Sequence, residues 1–141
     1  MGNTTTIQKC NFEDIQNNLY NFKNNSSLLI NTLGLNEQGC LIPNTIKYDS
    51  EEQIINNYMK TNTSIYIFIY GKNMNDETIY KKYNQLISLG FMNVYLYTGG
   101  LFEWLCLQDI FGFDNFPTTK KELDLLKFKA ISYKKNNLLT N

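Results

Sequence analysis

The stretch from Ser64 to Trp104, SIYIFIYGKNMNDETIYKKYNQLISLGFMNVYLYTGGLFEW, constrains this chain more than any other. Ile65, Ile67, Phe68 and Ile69 form a nearly continuous apolar run within Ser64–Tyr70, the mark of a strand covered on both faces. A short polar loop, Gly71–Asp76, comes next. The following helix is expected from about Asn75 to Leu89, with Ile79, Tyr83, Leu86 and Ile87 inward and Gly90 ending it. Asn93–Tyr97 reads as a second strand, and Thr98-Gly99-Gly100 leads into an amphipathic helix, Leu101–Ile110, that holds the single Trp. Strands alternating with helices imply a parallel sheet with right-handed crossovers. The fold class is therefore α/β, and 141 residues fit one domain, an open parallel sheet flanked by helices on both faces. In such sheets ligands sit where a strand's carboxyl end meets a helix's amino end. The Gly71–Asp76 loop occupies that place and contains no Cys, Ser, His or Arg.

Composition narrows the chemistry further. The whole chain has no Arg and no His, which removes guanidinium clamps on phosphate and imidazole general-base catalysis. Thirteen lysines balance thirteen acids, without the basic excess that a nucleic-acid binder needs. Cys10, Cys40 and Cys106 are far apart, odd in number and lack any CxxC spacing, so neither zinc nor a disulfide framework is expected, and a reducing, cytoplasmic compartment is. No apolar run approaches the ~20 residues of a membrane span. Abundant Asn, Ile, Lys and Tyr beside one Ala and one Val suggest an AT-rich genome, a protist or a large DNA virus.

Elsewhere, Asn11–Lys23 places Phe12, Ile15, Leu19 and Phe22 at helical spacing with Asn11 as N-cap. Ser27–Thr32 reads as a buried strand, Gly34–Gly39 as a loop, Thr45–Lys47 as a brief edge strand and Ser50–Lys60 as a helix with an acidic first turn. Residues 1–10 are expected as a flexible leader, 11–112 as the folded domain, 113–132 as a C-terminal helical extension and 133–141 as a disordered tail. Within the extension, Pro117 halts the preceding element and Thr119 and Glu122 stand in capping-box register. Leu123, Leu126 and Ala130, broadened by Leu125 and Phe128, would form its apolar stripe, expected to dock on the domain, with partner binding as a recognition helix the alternative.

Laid out in order, several segments resemble the rhodanese-like domain family. Leu28-Leu29-Ile30-Asn31 is similar to the family's early buried strand, and Ile42-Pro43-Asn44-Thr45-Ile46 to its I-P-G-A-[IV] segment. Ile67-Phe68-Ile69-Tyr70 resembles the strand that feeds its active-site loop. Leu89-Gly90-Phe91 with Val94-Tyr95-Leu96, and Gly99-Gly100 with Trp104, resemble its L-G-[FY]…V-x-x-L and G-G-x-x-x-W motifs. The resemblance covers roughly Cys10 to Gly112. It implies a rhodanese-like fold, and in active members a Cys opens the loop, its thiolate held by backbone N–H groups. Here that position is Gly71, followed by Lys72, Asn73, Met74 and Asn75. The phosphatase relatives' Cys and Arg are absent as well. Asp76 and Glu77 are expected in the first helical turn, where they cap the helix and repel thiosulfate or phosphate.

The expectation is thus a pseudoenzyme: a catalytically inactive rhodanese-like module with no cofactor, binding or scaffolding a protein partner. The alternative is a sulfurtransferase or thiol-handling enzyme using Cys40, the more exposed candidate, or Cys106, read as core. The leader Met1-Gly2-Asn3-Thr4-Thr5-Thr6 also fits the N-myristoylation pattern at Gly2, which would give weak, reversible membrane association.

Overall fold

The computed structural model describes residues 6–20 and 27–133. The candidate lipidation site at Gly2, the helical continuation through Phe22 and Lys23, and the tail from residue 134 lie outside the described residues. In chain order the elements are β1 (Lys9–Cys10), α1 (Phe12–Tyr20), β2 (Ser27–Asn31), α2 (Glu51–Thr61), β3 (Tyr66–Tyr70), α3 (Thr78–Ser88), β4 (Asn93–Tyr97) and α4 (Gly100–Phe111). Among the described residues there are also two 3-10 turns, Leu35–Glu37 and Leu125–Phe128. The sheet has the order β1-β4-β3-β2 and every pairing is parallel. Ile67 stands between Leu28 and Val94, and Tyr70 between Asn31 and Tyr97.

Because side chains alternate along a strand, each strand feeds two cores. Leu29, Tyr70 and Tyr97 face α1 and α4, where they meet Ile15, Leu101, Trp104 and Leu105. Ile30, Ile67, Ile69, Val94 and Leu96 face α2 and α3, against Ile55, Ile79, Tyr83 and Leu86. The expected open parallel sheet with helices on both faces is what forms. No helix among the described residues is long and apolar enough to cross a membrane.

The N-cap at Asn11 forms as its sequence position suggests: its Oδ1 accepts from the Glu13 and Asp14 N–H groups at 2.9 and 3.3 Å. The leader departs from expectation. From Gln8 it joins the sheet, its carbonyl accepting from Leu96 N–H at 3.0 Å and its side-chain amide donating to the Met92 and Val94 carbonyls. This gives the open side of β4 partners, which an unpaired edge would lack. The edge strand expected at Thr45–Lys47 shrinks to one bridge, Leu29 to Thr45, with Ile46 N–H on the Leu29 carbonyl at 2.8 Å. In α4 the inner face is Leu101, Trp104 and Leu105, while Ile110 is exposed and Cys106 half-buried. This helix is apolar nearly all round, so its sequence does not identify the buried side.

The α-helix expected within residues 113–132 is replaced by a strap that runs back across α4. Thr119 does not cap a helix. Its N–H and hydroxyl pair with the Leu41 carbonyl and N–H at 2.8 and 3.0 Å. Trp104 Nε1 donates to the Pro117 carbonyl at 2.8 Å, and Gln108 Nε2 to that of Phe116 at 2.7 Å. The 3-10 turn repeats every three residues, which stacks Leu125 and Phe128 inward. Leu123 and Leu126, the centre of the expected stripe, therefore face outward and are exposed. Docking on the domain takes place, but through Phe116, Leu125 and Phe128.

Candidate functional site

The Gly71–Asp76 loop lies at the carboxyl edge of the sheet, between β3 and α3 and beside the amino end of α4. The sequence places it there by ending an apolar strand with a glycine. The Gly71 and Lys72 carbonyls accept from the Leu101 and Phe102 N–H groups, both at 2.9 Å, so the first turn of α4 is tied to the loop. That close approach requires Gly100, which has φ +71°. A Cβ there would lie 2.8 Å from Asn73 N and 2.9 Å from the Gly71 carbonyl oxygen.

Asp76 is the centre of the arrangement. Its Oδ2 accepts from Lys72 N–H at 2.9 Å, and its Oδ1 accepts from Thr78 N–H at 3.0 Å and from the Thr78 hydroxyl at 2.5 Å. Asn73 Oδ1 accepts from Asn75 N–H at 2.9 Å, and the Asn73 carbonyl accepts from Asp76 N–H at 3.1 Å. The N–H groups of Lys72, Asn75, Asp76 and Thr78 are thus all satisfied within the loop. A carboxylate already occupies part of the place where backbone donors would hold an anion. Asp76 and Glu77 were expected in the first turn of the helix. Instead α3 begins at Thr78 with no acid in its first turn, because Asp76 turns back to close the loop.

Gly71 is buried, and a Cβ there would lie 2.5 Å from Asp76 Oδ2 and 2.9 Å from Ile79 Cγ2. Lys72 Nζ reaches Glu37 Oε2 at 2.9 Å, a half-exposed ion pair of modest value. Asn73 Nδ2 donates to the Phe128 carbonyl at 3.0 Å, so the strap is fastened to the loop. Lys72, Asn73, Asn75 and Asp76, with Ile131 of the strap, line a cleft of about 270 Å³. Met74 is exposed at the rim. The loop residues singled out from the sequence are therefore adjacent. Glu37, Thr78 and Phe128 join them without having been anticipated. A carboxylate two residues before a Thr is a recurrent turn signal, and Asp76-Glu77-Thr78 carries it.

The cysteines exchange their expected places. Cys40 is buried beneath the strap and its thiol donates to the Lys120 carbonyl at 3.2 Å, whereas Cys106 stands partly exposed on the flank of α4. Burial pushes all three thiols up: Cys10 to about 12, aided by Asp14; Cys40 despite a hydrogen bond with Thr118; and Cys106 with help from Asp109 and Glu103. Each change disfavours the thiolate that nucleophilic chemistry uses. At the start of α4, the buried Tyr97 hydroxyl donates to Glu103 Oε1 at 3.0 Å, placing a second carboxylate along this edge of the sheet.

The sequence matches no protein-family model and no curated protein. Solved structures do share its fold. The rhodanese-like domain of the Alr3790 protein from Anabaena sp. superposes with a TM-score of 0.54 at 18% identity, covering 90% of this chain and 93% of that domain. The BH2092 protein from Bacillus halodurans gives 0.59 at 16% identity, with 93% and 89% covered. A protein from Lactobacillus plantarum gives 0.56 at 13%, with 71% and 82% covered. The architecture of this chain is thus the rhodanese-like fold, with a loop in which Asp76 takes the Lys72 and Thr78 N–H groups and Asn73 those of Asn75 and Asp76.

Proposed function

We propose that this chain is a rhodanese-fold module that has no sulfur-transfer chemistry and acts by binding a protein partner. The observation that carries this reading is the Asp76 carboxylate on Lys72 N–H and Thr78 N–H, beside a glycine where a nucleophile would stand. An incoming thiosulfate or phosphate would have to displace a like charge from donors it already satisfies. The raised thiols of Cys10, Cys40 and Cys106 support the same reading, since no cysteine is held as a thiolate. A fold of this kind hosts unrelated functions, and what remains for a module without a nucleophile is its surface. Myristoylation at Gly2 would add a weak membrane tether. A thiosulfate:cyanide sulfurtransferase assay on the full chain tests the proposal directly. No turnover above a heat-denatured control is expected. Turnover that disappears in Cys40→Ser or Cys106→Ser would overturn the reading in favour of a displaced-cysteine enzyme.

A further inference from the structure

The charge of this chain is neutral only in sum. Residues 1–119 carry seven lysines against eleven acids, and residues 120–141 carry six lysines against two. Four of those six, Lys120, Lys121, Lys127 and Lys129, are exposed on the strap, and Lys134 and Lys135 follow in the sequence. Of the strap's acids after Lys120, Glu122 is neutralised by Lys127 at 3.2 Å, and its carboxyl is held below the usual range by Lys127 and Lys120. Asp124 is the other. Interleaved with the lysines are apolar side chains that the fold leaves outside: Leu123 is 84% exposed, Leu126 57%, Ile131 58% and Tyr133 71%.

We propose that the outward face of the strap, Lys120–Tyr133, docks this module onto an anionic lipid bilayer. Side chains this exposed project from the surface, which suits insertion between headgroups, while lysines beside them can keep their ammonium groups in the headgroup layer. The four lysines of this face, Lys127 among them though it is shared with Glu122, stand at the lower end of the range of basic clusters that bind acidic phospholipid. The 3-10 turn is what makes the face: it stacks Leu125 and Phe128 into the core and so commits Leu126 and the neighbouring lysines to the outside. Docking does not depend on whether Gly2 is acylated or on the absence of sulfur-transfer activity. A polybasic patch is nevertheless the second signal that would turn a marginal myristoyl anchor into a stable one.

The test is co-sedimentation of the full, unacylated chain with phosphatidylcholine vesicles, with and without phosphatidylserine. Binding is expected only with phosphatidylserine and should be lost at high salt. The double variant Lys120→Glu/Lys121→Glu should lower partitioning by at least about tenfold. Leu123→Ser/Leu126→Ser should weaken it too, with both variants melting as the parent does because the altered positions are exposed. Absence of phosphatidylserine-dependent binding, or binding that both variants retain, would overturn the proposal. Capture by immobilised acidic peptide with no vesicle binding would also overturn it and assign the face to an acidic protein.

Discussion

Asp76 does what a bound anion would do: it gathers backbone donors into a tight turn, and it does so permanently. Restoring a nucleophile is therefore more than a change of one atom type. In Gly71→Cys the new Cβ would sit against the Asp76 carboxylate and the Ile79 methyl. Either the carboxylate leaves its donors or the Ile79 side chain shifts. A loss of about 1–3 kcal/mol is expected in urea unfolding. No sulfurtransferase activity should appear, because the carboxylate disfavours both the thiolate and an anionic substrate. Substantial turnover from Gly71→Cys would show that Asp76 yields its place at little cost. Gly71 and the missing cysteine are legible in the sequence, because one residue type decides the chemistry. The turn made by Asp76 is less so, since a carboxylate near a helix start reads equally well as a cap.

Among the elements, the strands were the most legible and the strap the least. Asn93–Tyr97 forms over the expected residues, because alternation and apolar content within five residues specify it. The strap is held by partners on other elements: Leu41 and Asn73, 78 and 55 residues away, and Trp104 and Gln108 on α4 each bond to its backbone or side chains. No local periodicity reports such bonds, and the spacing of Leu123, Leu126 and Ala130 points to a 3.6-residue stripe where a three-residue turn forms. Its energetics follow from this inversion. Phe128→Ala should cost about 3–5 kcal/mol, since the ring is buried against α4. Leu123→Ala should stay within about 0.5 kcal/mol. Equilibrium urea unfolding of the two variants separates the arrangements, because a helix buried along Leu123 and Leu126 would reverse their order.

Taken as a whole, the molecule buries several weak acids in protonated form. Burial raises Cys10 to about 12, with Cys40, Tyr70 and Tyr97 raised as well. For Cys10 the unfolded chain releases its proton near the ordinary value of 9.0 while the folded chain retains it to about 12. The folded state then binds more protons than the unfolded one, so stability falls as pH rises across that interval. Thermal melts between pH 8.5 and 11 should show a steady decline that is shallower in Cys10→Ala; a flat profile would contradict the burial of these groups. The strap has a different consequence, one of timing. Its Thr119 pairs with Leu41, 78 residues earlier in the chain, and this contact waits until the strap, which follows α4 in the sequence, has itself been synthesised. During synthesis the sheet, α1 and α4 can assemble before the strap has emerged. Over that interval the nascent chain would leave Cys40 uncovered and the Trp104 indole N–H without its carbonyl, so the thiol that is sheltered in the finished molecule is most open to oxidation while the chain is still being made.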